Sequence, residues 1–290
     1  MPKIEISHGC AQGDPQALIP KVCKIVDIVE ETQDVKSFKL STLDGKKPFE
    51  NKPGQLGMFS FISEGESMFC VADNGDDYVE FIVKKVGRVT EQLHALDVGD
   101  EVGLRGPYGN WFPYESCKGR DMIFIGGGIG MPPVRSFLQY CIKNRADYGH
   151  LDYVYSASSY EDLVCKEDLF ENWPKVDDMN VYVSVYHGSP ESEAKGIAEA
   201  YTAPFMESLN LKVTDNTVAV LCGGPSLYRT CSEALLDKMG LASEQLVTTL
   251  EMRMKCGIGK CGRCNIGSHF ICLDGPVFTR AEIDEMYEPA

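Results

Sequence analysis

The sequence has no apolar run long enough to cross a membrane. Its best candidate, Met122 to Val134, is interrupted by Gly126, Gly127, Gly128, Gly130, Pro132 and Pro133, whereas a spanning helix needs about 20 mostly apolar residues. It is also short of positive charge: 28 Lys and Arg stand against 43 Asp and Glu, a net charge of −15. That deficit argues against nucleic acid as a partner and suits a protein that docks on other proteins. The absence of an internal repeat excludes a solenoid. The first residues, Met-Pro-Lys-Ile-Glu-Ile-Ser-His, hold no apolar segment that could direct secretion, so a reducing cytoplasm is the expected setting.

What is present is an ordinary globular composition, 43% hydrophobic and 24% charged over 290 residues, enough for two domains with their own cores and a small appendage. Residues 21–112 read as all-β. Alternating segments at Lys21–Glu30, Val35–Leu40, Leu56–Ile62, Tyr78–Val86 and Glu101–Arg105 are divided by Asp-Gly, Pro-Gly and Gly-Asp turns, the pattern of an antiparallel barrel. After Gly106–Pro113 the pattern changes. Met122–Ile125 reads as a strand, Gly126–Gly130 as a glycine turn and Pro133–Asn144 as a helix. Asp152–Ser156, a helical Glu161–Asn172, Asn180–Tyr186, a helical Ile197–Ser208, Val218–Cys222 and a helical Ser226–Lys238 continue the alternation. This predicts a parallel sheet with helices on both faces. The expected division is a barrel over 1–117, an α/β domain over 118–245 and a small C-terminal lobe over 246–290.

Ten of the twelve cysteines fall into two sets, with Cys70 and Cys222 apart from both. Cys256, Cys261, Cys264 and Cys272 follow the spacing C-x4-C-x2-C-x7-C, the plant-type ligand spacing of a [2Fe–2S] cluster. Gly257, Gly259 and Gly262 let the backbone curl closely around such a cluster and bring amide groups near the sulfurs. With four thiolates the oxidised cluster carries a charge of about −2 and the reduced one about −3. Arg253, Lys255, Lys260 and Arg263 crowd the same stretch and would ease electron entry. Structural zinc and disulfides are the alternatives, but zinc sites usually join two separated knuckles. Cys10, Cys23, Cys117, Cys141, Cys165 and Cys231 share no ligand spacing and read as small buried hydrophobes. His269 falls inside the cluster loop and reads as a surface hairpin residue.

In architecture, and in the run Leu250-Glu-Met-Arg-Met-Lys-Cys-Gly-Ile-Gly-Lys-Cys-Gly-Arg-Cys264 with Cys272, the chain resembles the ferredoxin–NADP reductase-like flavoproteins. Within them it is similar to the branch of the dihydroorotate dehydrogenase electron-transfer subunit, the sulfhydrogenase gamma subunit and the corresponding subunit of anaerobic sulfite reductase. The likeness runs from about Pro20 to Phe278. It implies an FAD-binding barrel, an NAD(P)-binding α/β domain and a [2Fe–2S] lobe. The family's Arg-x-Tyr-Ser/Thr flavin motif corresponds to Glu66-Ser-Met-Phe-Cys-Val-Ala72. Phe69 takes the aromatic place, Cys70 the hydroxyl place beside flavin N5, and Val71 follows; no Arg is present. A thiol is a weaker donor than a hydroxyl, and the same residues could simply be barrel core. Lys85-Val-Gly-Arg-Val-Thr90 resembles the family's Gly-x-Val-Thr turn, which implies pyrophosphate contacts from Gly87, Arg88, Val89 and Thr90; a capped helix start is the plainer alternative.

Gly126-Gly-Gly-Ile-Gly-Met-Pro-Pro133 departs from the G-x-G-x-x-G fingerprint, since Met131 holds the third glycine place. It resembles the reductases' Gly-Gly-x-Gly-x-Ala-Pro loop, which implies that Gly127, Gly128, Gly130 and Pro133 carry the dinucleotide at the switch point of the sheet. Cys222-Gly223-Gly224-Pro225 resembles the family's Cys-Gly-Pro beside the nicotinamide, so Cys222 and Cys70 are the candidate catalytic residues. No Arg follows the second or third strand to grip a 2′-phosphate, which leans toward NADH over NADPH, although Ser158 and Ser159 could still bind a phosphate.

The implied function is that of a diaphorase subunit. NAD(P)H gives up two electrons as hydride, the cluster takes one at a time, and a flavin converts between them. The electrons would then pass to, or come from, catalytic and iron–sulfur subunits of a larger complex. No acid–base constellation for a further substrate is visible. A stand-alone reductase of a diffusible acceptor and a non-catalytic redox-sensing scaffold are the rival readings.

Overall fold

The computed structural model describes residues 4–6 and 17–287; Cys10 lies outside them. The first domain is a seven-stranded antiparallel barrel of β1 (Lys21–Glu30), β2 (Val35–Thr42), β3 (Leu56–Phe61), β4 (Gly65–Cys70), β5 (Asp73–Asn74), β6 (Val79–Lys84) and β7 (Glu101–Tyr108), with one helix, α1 (Arg88–His94), after β6. Alternation sends Cys23 and Ile25 inward from β1 and leaves Val22 and Val26 outside. Phe38, Phe59 and Phe81 fill the interior, the last two edge to face at 4.9 Å. The seam closes where the chain leaves β4. Val71 N–H still bonds to Gln55 on the β3 side, and Ala72 N–H already bonds to Glu80 on β6.

The second sheet is built from β8 (Asp121–Gly127), helix α2 (Met131–Lys143), β9 (Leu151–Ala157), β10 (Met179–Val185), α3 (Pro190–Ala194), β11 (Ala198–Glu199), α4 (Thr202–Ser208), β12 (Thr217–Cys222), α5 (Pro225–Glu233) and β13 (Leu246–Thr249). The chain then forms a small hairpin of β14 (Asn265–Ile266) and β15 (His269–Phe270), returns as β16 (Val277–Thr279) and ends the described part in α6 (Arg280–Tyr287). The strand order is β11-β10-β9-β8-β12-β13-β16, parallel except for β16. Every residue of β9 and of β12 is buried, as expected of central strands covered on both faces. The order reverses between β8 and β12, so their carboxyl ends form a crevice. Among the described residues no helix is long and apolar enough to cross a membrane.

Two helices differ from expectation. The segment expected to be helical from Glu161 becomes so only from Lys166, through a π-helical turn at Asp168–Asn172. Cys165 sits at φ 57° and donates its N–H to the Glu31 carboxylate at 2.7 Å, which fixes the preceding stretch as a turn. The helix expected over Ile197–Ser208 is split: Ala198–Glu199 pairs with Ser184 and Val185 as the edge strand. Pro204 is tolerated only in the first turn of a helix, and α4 accordingly starts at Thr202. The sheet also runs past residue 245, because β13 and β16 both belong to it. The lobe that carries the cysteine motif is thus inserted between two paired strands.

Barrel and sheet are joined by polar and apolar contacts. Buried Arg135 on α2 pairs with Glu80 of β6 at 3.0 Å and with Asp168 at 2.8 Å, and Phe112 stacks on Phe137 at 5.2 Å. Asn110, fully buried just after β7, ties the lobe's return strand down. Its amide donates to the carbonyls of Asp274 (3.0 Å) and Val277 (2.8 Å) and accepts from Val277 N–H (2.9 Å). Asn110→Ala leaves these groups without partners at about 1–3 kcal/mol each. The apparent melting temperature, followed by circular dichroism, is expected to fall by at least about 5 °C.

Candidate functional site

A cleft of about 290 Å³ opens where three parts of the chain meet. Leu56, Phe69, Cys70 and Ile82 line it from the barrel, Ile129 and Pro133 from the glycine loop, and Thr249, Leu250, Glu251, Met252 and Met254 from the end of β13 and the chain after it. Phe69 is held edge-on by Phe59 at 5.5 Å. Val71, by contrast, points into the barrel core and can offer a ligand only its backbone. Burial, the neighbouring Cys222 thiol and Glu251 push the Cys70 thiol well above its ordinary range, so it remains a neutral S–H donor.

The turn before α1 is self-contained. Thr90 Oγ1 accepts from the N–H groups of Val86 (2.8 Å) and Gly87 (2.9 Å) and donates to the Gly87 carbonyl (2.8 Å). Arg88 and Val89 follow Gly87 into the helix. Arg88 is exposed and paired with Glu64 at 2.8 Å. The hydroxyl assigned to a phosphate is therefore already engaged, and the cation that lines the cleft is Lys84, paired with Asp34 at 3.2 Å.

On the sheet side, Gly126 stands opposite Cys222 and beside Tyr155, so the two glycine turns face each other across the switch point. A Cβ at Gly130 would lie 2.3 Å from the Cys222 carbonyl oxygen; only glycine lets the turns approach this closely. Gly128 takes a positive φ of 52°, and the Tyr155 hydroxyl donates to its carbonyl at 2.9 Å. Gly127 and Gly223 both pack against Leu227, while Gly224 and Pro225 begin α5. Cys222 Sγ lies 3.1 Å from Thr249 Oγ1. Burial pushes its thiol up to about 12, so it too is neutral. The structure thus brings Phe69, Cys70, Pro133 and the Cys222 turn to one region and leaves Arg88 and Thr90 facing their own neighbours.

The cysteine loop sits directly beyond the cleft. Gly257, Gly259 and Gly262 all have positive φ, 78°, 68° and 68°. Cβ atoms at the first two would press on Tyr108 and Leu273 at 3.0 and 2.1 Å. Ile258 and Lys260 donate their N–H groups to Cys256 Sγ at 3.5 and 3.3 Å, and Gly259 donates to Cys272 Sγ at 3.2 Å. The thiols contact one another in two pairs, Cys256 with Cys261 and Cys264 with Cys272. Burial would raise Cys256, but the amides of Ile258, Cys261 and Lys260 outweigh it and hold the thiol at about 7; burial drives Cys272 upward. Among the described residues no three Cys, His, Asp or Glu side chains converge as around a single ion. Two pairs of thiols, the first receiving the amides of Ile258, Lys260 and Cys261 and the second that of Gly259, instead fit a di-iron centre ligated by four thiolates. Cys261 is exposed, while Cys264 and Cys272 are buried. The remaining described cysteines, Cys23, Cys117, Cys141, Cys165 and Cys231, are free and buried.

Three contributors carry no motif that sequence reasoning could have found: Lys84, Tyr155 and above all Arg105. Arg105, on β7, donates to the carbonyls of Lys255 and Cys256 at 2.9 and 2.8 Å. An arginine inside a barrel strand, with Glu66 on the strand next but one, was the available signal.

The comparisons with known proteins agree with this geometry. Residues 251–284 match the family model "Iron-sulfur cluster binding domain of dihydroorotate dehydrogenase B", and residues 124–233 match "Oxidoreductase NAD-binding domain". The chain is 34% identical over 276 residues to "Sulfhydrogenase 1 subunit gamma" of Pyrococcus furiosus, covering 91% of this chain and 90% of that one. It is 32% identical over 258 residues to "Probable dihydroorotate dehydrogenase B (NAD(+)), electron transfer subunit" of Thermococcus kodakarensis, covering 89% and 95%. Among solved structures, the NADH-dependent reduced ferredoxin-NADP oxidoreductase superposes with a TM-score of 0.70 at 21% identity, over 91% of both chains. The cytochrome b5 reductase domain of Ulva prolifera nitrate reductase gives 0.64 at 17% identity, over 79% of this chain and 97% of that one. These last two likenesses establish the fold.

Gly130→Ala forces the Cys222 turn away from the glycine loop by a backbone clash that no side chain can relieve. Dinucleotide binding, measured by NADH titration, is expected to weaken at least tenfold (about 1.4 kcal/mol), with the flavin absorbance spectrum unchanged.

Proposed function

The chain belongs to the family of the sulfhydrogenase gamma subunits and the dihydroorotate dehydrogenase B electron transfer subunits, and from that premise we propose how its own residues serve electron transfer. It is an oxidoreductase subunit that moves electrons between NAD(P)H, FAD and a [2Fe–2S] cluster, in exchange with a partner subunit. The observation that carries the reading is a shared wall. Met254 lines the cleft and stands two residues before the ligand Cys256, and it packs with Met68, Leu56, Tyr108 and Ile258 into one apolar cluster between the two centres.

Bound FAD supplies the conversion between a two-electron hydride donor and a one-electron acceptor. Phe69 and Cys70 would flank it, Cys70 as a neutral thiol able to donate one weak hydrogen bond, with the amide of Val89 and the charge of Lys84 as further holders; Val71 and Gly87, whose N–H groups already bond to the Gln55 carbonyl and Thr90 Oγ1, would shape the wall. Arg88 would have to leave Glu64 to contribute, and Thr90 serves by shaping the turn. Gly127, Gly128, Gly130 and Pro133 would seat the dinucleotide, with Gly223, Gly224 and Pro225 holding Cys222 beside the nicotinamide. Because Cys222 stays protonated, it puts no negative charge beside the departing hydride. The apolar cluster around Met254 keeps water from the gap between the centres, and Cys256, Cys261, Cys264 and Cys272 would hold the iron.

We assign the lobe to residues 250–276, between β13 and β16. NADH is the proposed nucleotide. Ser159 bonds to Asp162 at 2.9 Å, and Asp162 borders a small crevice with Gly128, Ser158, Asp34 and Lys84; with the dinucleotide's ribose seated there, the two carboxylates would oppose a 2′-phosphate. The relatives named for NAD(+) accord with this choice. Free thiols at the described cysteines outside the cluster motif suit a reducing, cytoplasmic compartment. The partners proposed are the catalytic and iron–sulfur subunits of a larger redox complex.

In anaerobically purified protein, stoichiometric NADH is expected to bleach flavin absorbance and then cluster absorbance. NADPH should do so with at least about tenfold lower kcat/KM (about 1.4 kcal/mol). Protein that shows cluster absorption but no flavin band would overturn this function.

A further inference from the structure

We propose that Arg105 is a positioning residue that holds the iron–sulfur loop in register with the flavin cleft and favours the reduced cluster; this rests on the cofactor assignment above. Arg105 lies on β7 and is 4% exposed. A guanidinium has five N–H donors in a rigid fork, and all five are used. Nε and Nη2 grip both oxygens of Glu66 at 2.8 and 2.7 Å. Nη1 donates to the Tyr108 hydroxyl and to the Cys256 carbonyl, each at 2.8 Å. Nη2 also donates to the Lys255 carbonyl at 2.9 Å.

The two ends of this network are the two ends of the electron path. Glu66 is on β4, on the same strand face as Met68 and Cys70, which line the cleft. Cys256 is the first residue of the cysteine motif, and the bond is to its own carbonyl, so the guanidinium fixes the backbone from which that thiolate springs. Tyr108 completes the platform: its ring lies against Gly257 and its hydroxyl donates to the Ala17 carbonyl. The stretch from Leu250 to Cys256 has no helix or strand of its own, so Arg105 supplies the donors that a ladder would otherwise provide.

The contact is electrostatic as well as steric. Reduction adds a negative charge to the cluster, and a buried cation whose hydrogen bonds reach the ligand's backbone stabilises the added charge. Glu66 cancels part of that effect, so it is modest. A lysine would keep the charge but not the fork, because three rotatable donors on one nitrogen cannot serve two carboxylate oxygens, a phenol and two carbonyls together.

The test uses the full-length, anaerobically purified protein, EPR-monitored redox titration and hydrogen exchange of the Ile258–Lys260 amides. The double variant Arg105→Gln with Glu66→Gln removes the pair together, so that no carboxylate is orphaned. It is expected to lower the reduced-to-oxidised cluster ratio at fixed potential about tenfold, a shift of about 59 mV to more negative values. Its loop amides should exchange about tenfold faster. Arg105→Lys should speed the exchange while leaving the potential near that of the wild type, and Lys118→Gln, which removes an exposed charge elsewhere, should change neither. Wild-type potential and exchange in the double variant overturn the proposal, leaving Arg105 a staple within the barrel. If the double variant does not fold, wild-type exchange in Arg105→Lys overturns it equally. Wild-type protein without an iron–sulfur EPR signal would sink the cofactor assignment and this proposal together, whereas a normal wild-type signal with unchanged variants sinks the proposal alone.

Discussion

The antiparallel pairing of β13 with β16 is the constraint on which the rest of the molecule depends. Thr249 stands opposite Val277, and Leu250 N–H bonds to the Pro276 carbonyl, so the cysteine lobe is a loop closed at its base. One side of that loop is the wall of the cleft; a few residues later the same backbone supplies the first thiol. Because the base is part of the sheet's own ladder, the distance between the two centres is set by covalent geometry and a few turns, not by the docking of a separate domain. Asn110 and Arg105 then fasten the loop to the barrel from two further directions.

The thiols in and near the cleft divide by environment. Cys70 and Cys222 are raised by burial and remain protonated, which suits a site that handles hydride, where a fixed thiolate would oppose the approach of further electron density. Cys256 is drawn down by the amides of its own loop, which suits a metal ligand. The same side-chain chemistry thus takes opposite roles according to whether apolar packing or backbone N–H groups surround it.

What could be read from the residues alone was whatever is encoded locally. The cysteine spacing, the glycines forced into positive φ, and strands whose alternation or continuous burial leaves a periodic trace all emerged as expected, as did the change from barrel to parallel sheet. The losses were non-local. Arg105 meets Cys256 across 151 positions and Asn110 meets Val277 across 167, and no window of sequence contains both partners. The late start of the helix after Cys165 has the same origin, since Glu31 of the barrel fixes that backbone from outside. Thr90 carries a local role that the family motif does not announce: the hydroxyl that the motif offers to a ligand also closes the turn that displays it. Ala198 and Glu199 became an edge strand because β10 offered an unpaired ladder, which outweighs the high helical propensity of alanine and glutamate.

The uneven burial of the cysteines has a consequence for the protein in the presence of oxygen. Cys264 and Cys272 are sealed, while Cys261 faces solvent amid Lys260 and Arg263. An opening that admits a partner's redox centre admits molecular oxygen and peroxide equally, and thiolate character with exposure is what makes a cysteine oxidisable. Damage should therefore begin on the side of the loop that carries exposed Cys261 and half-buried Cys256, and whatever subunit covers it in the assembled complex acts as a shield as well as an electron-transfer partner.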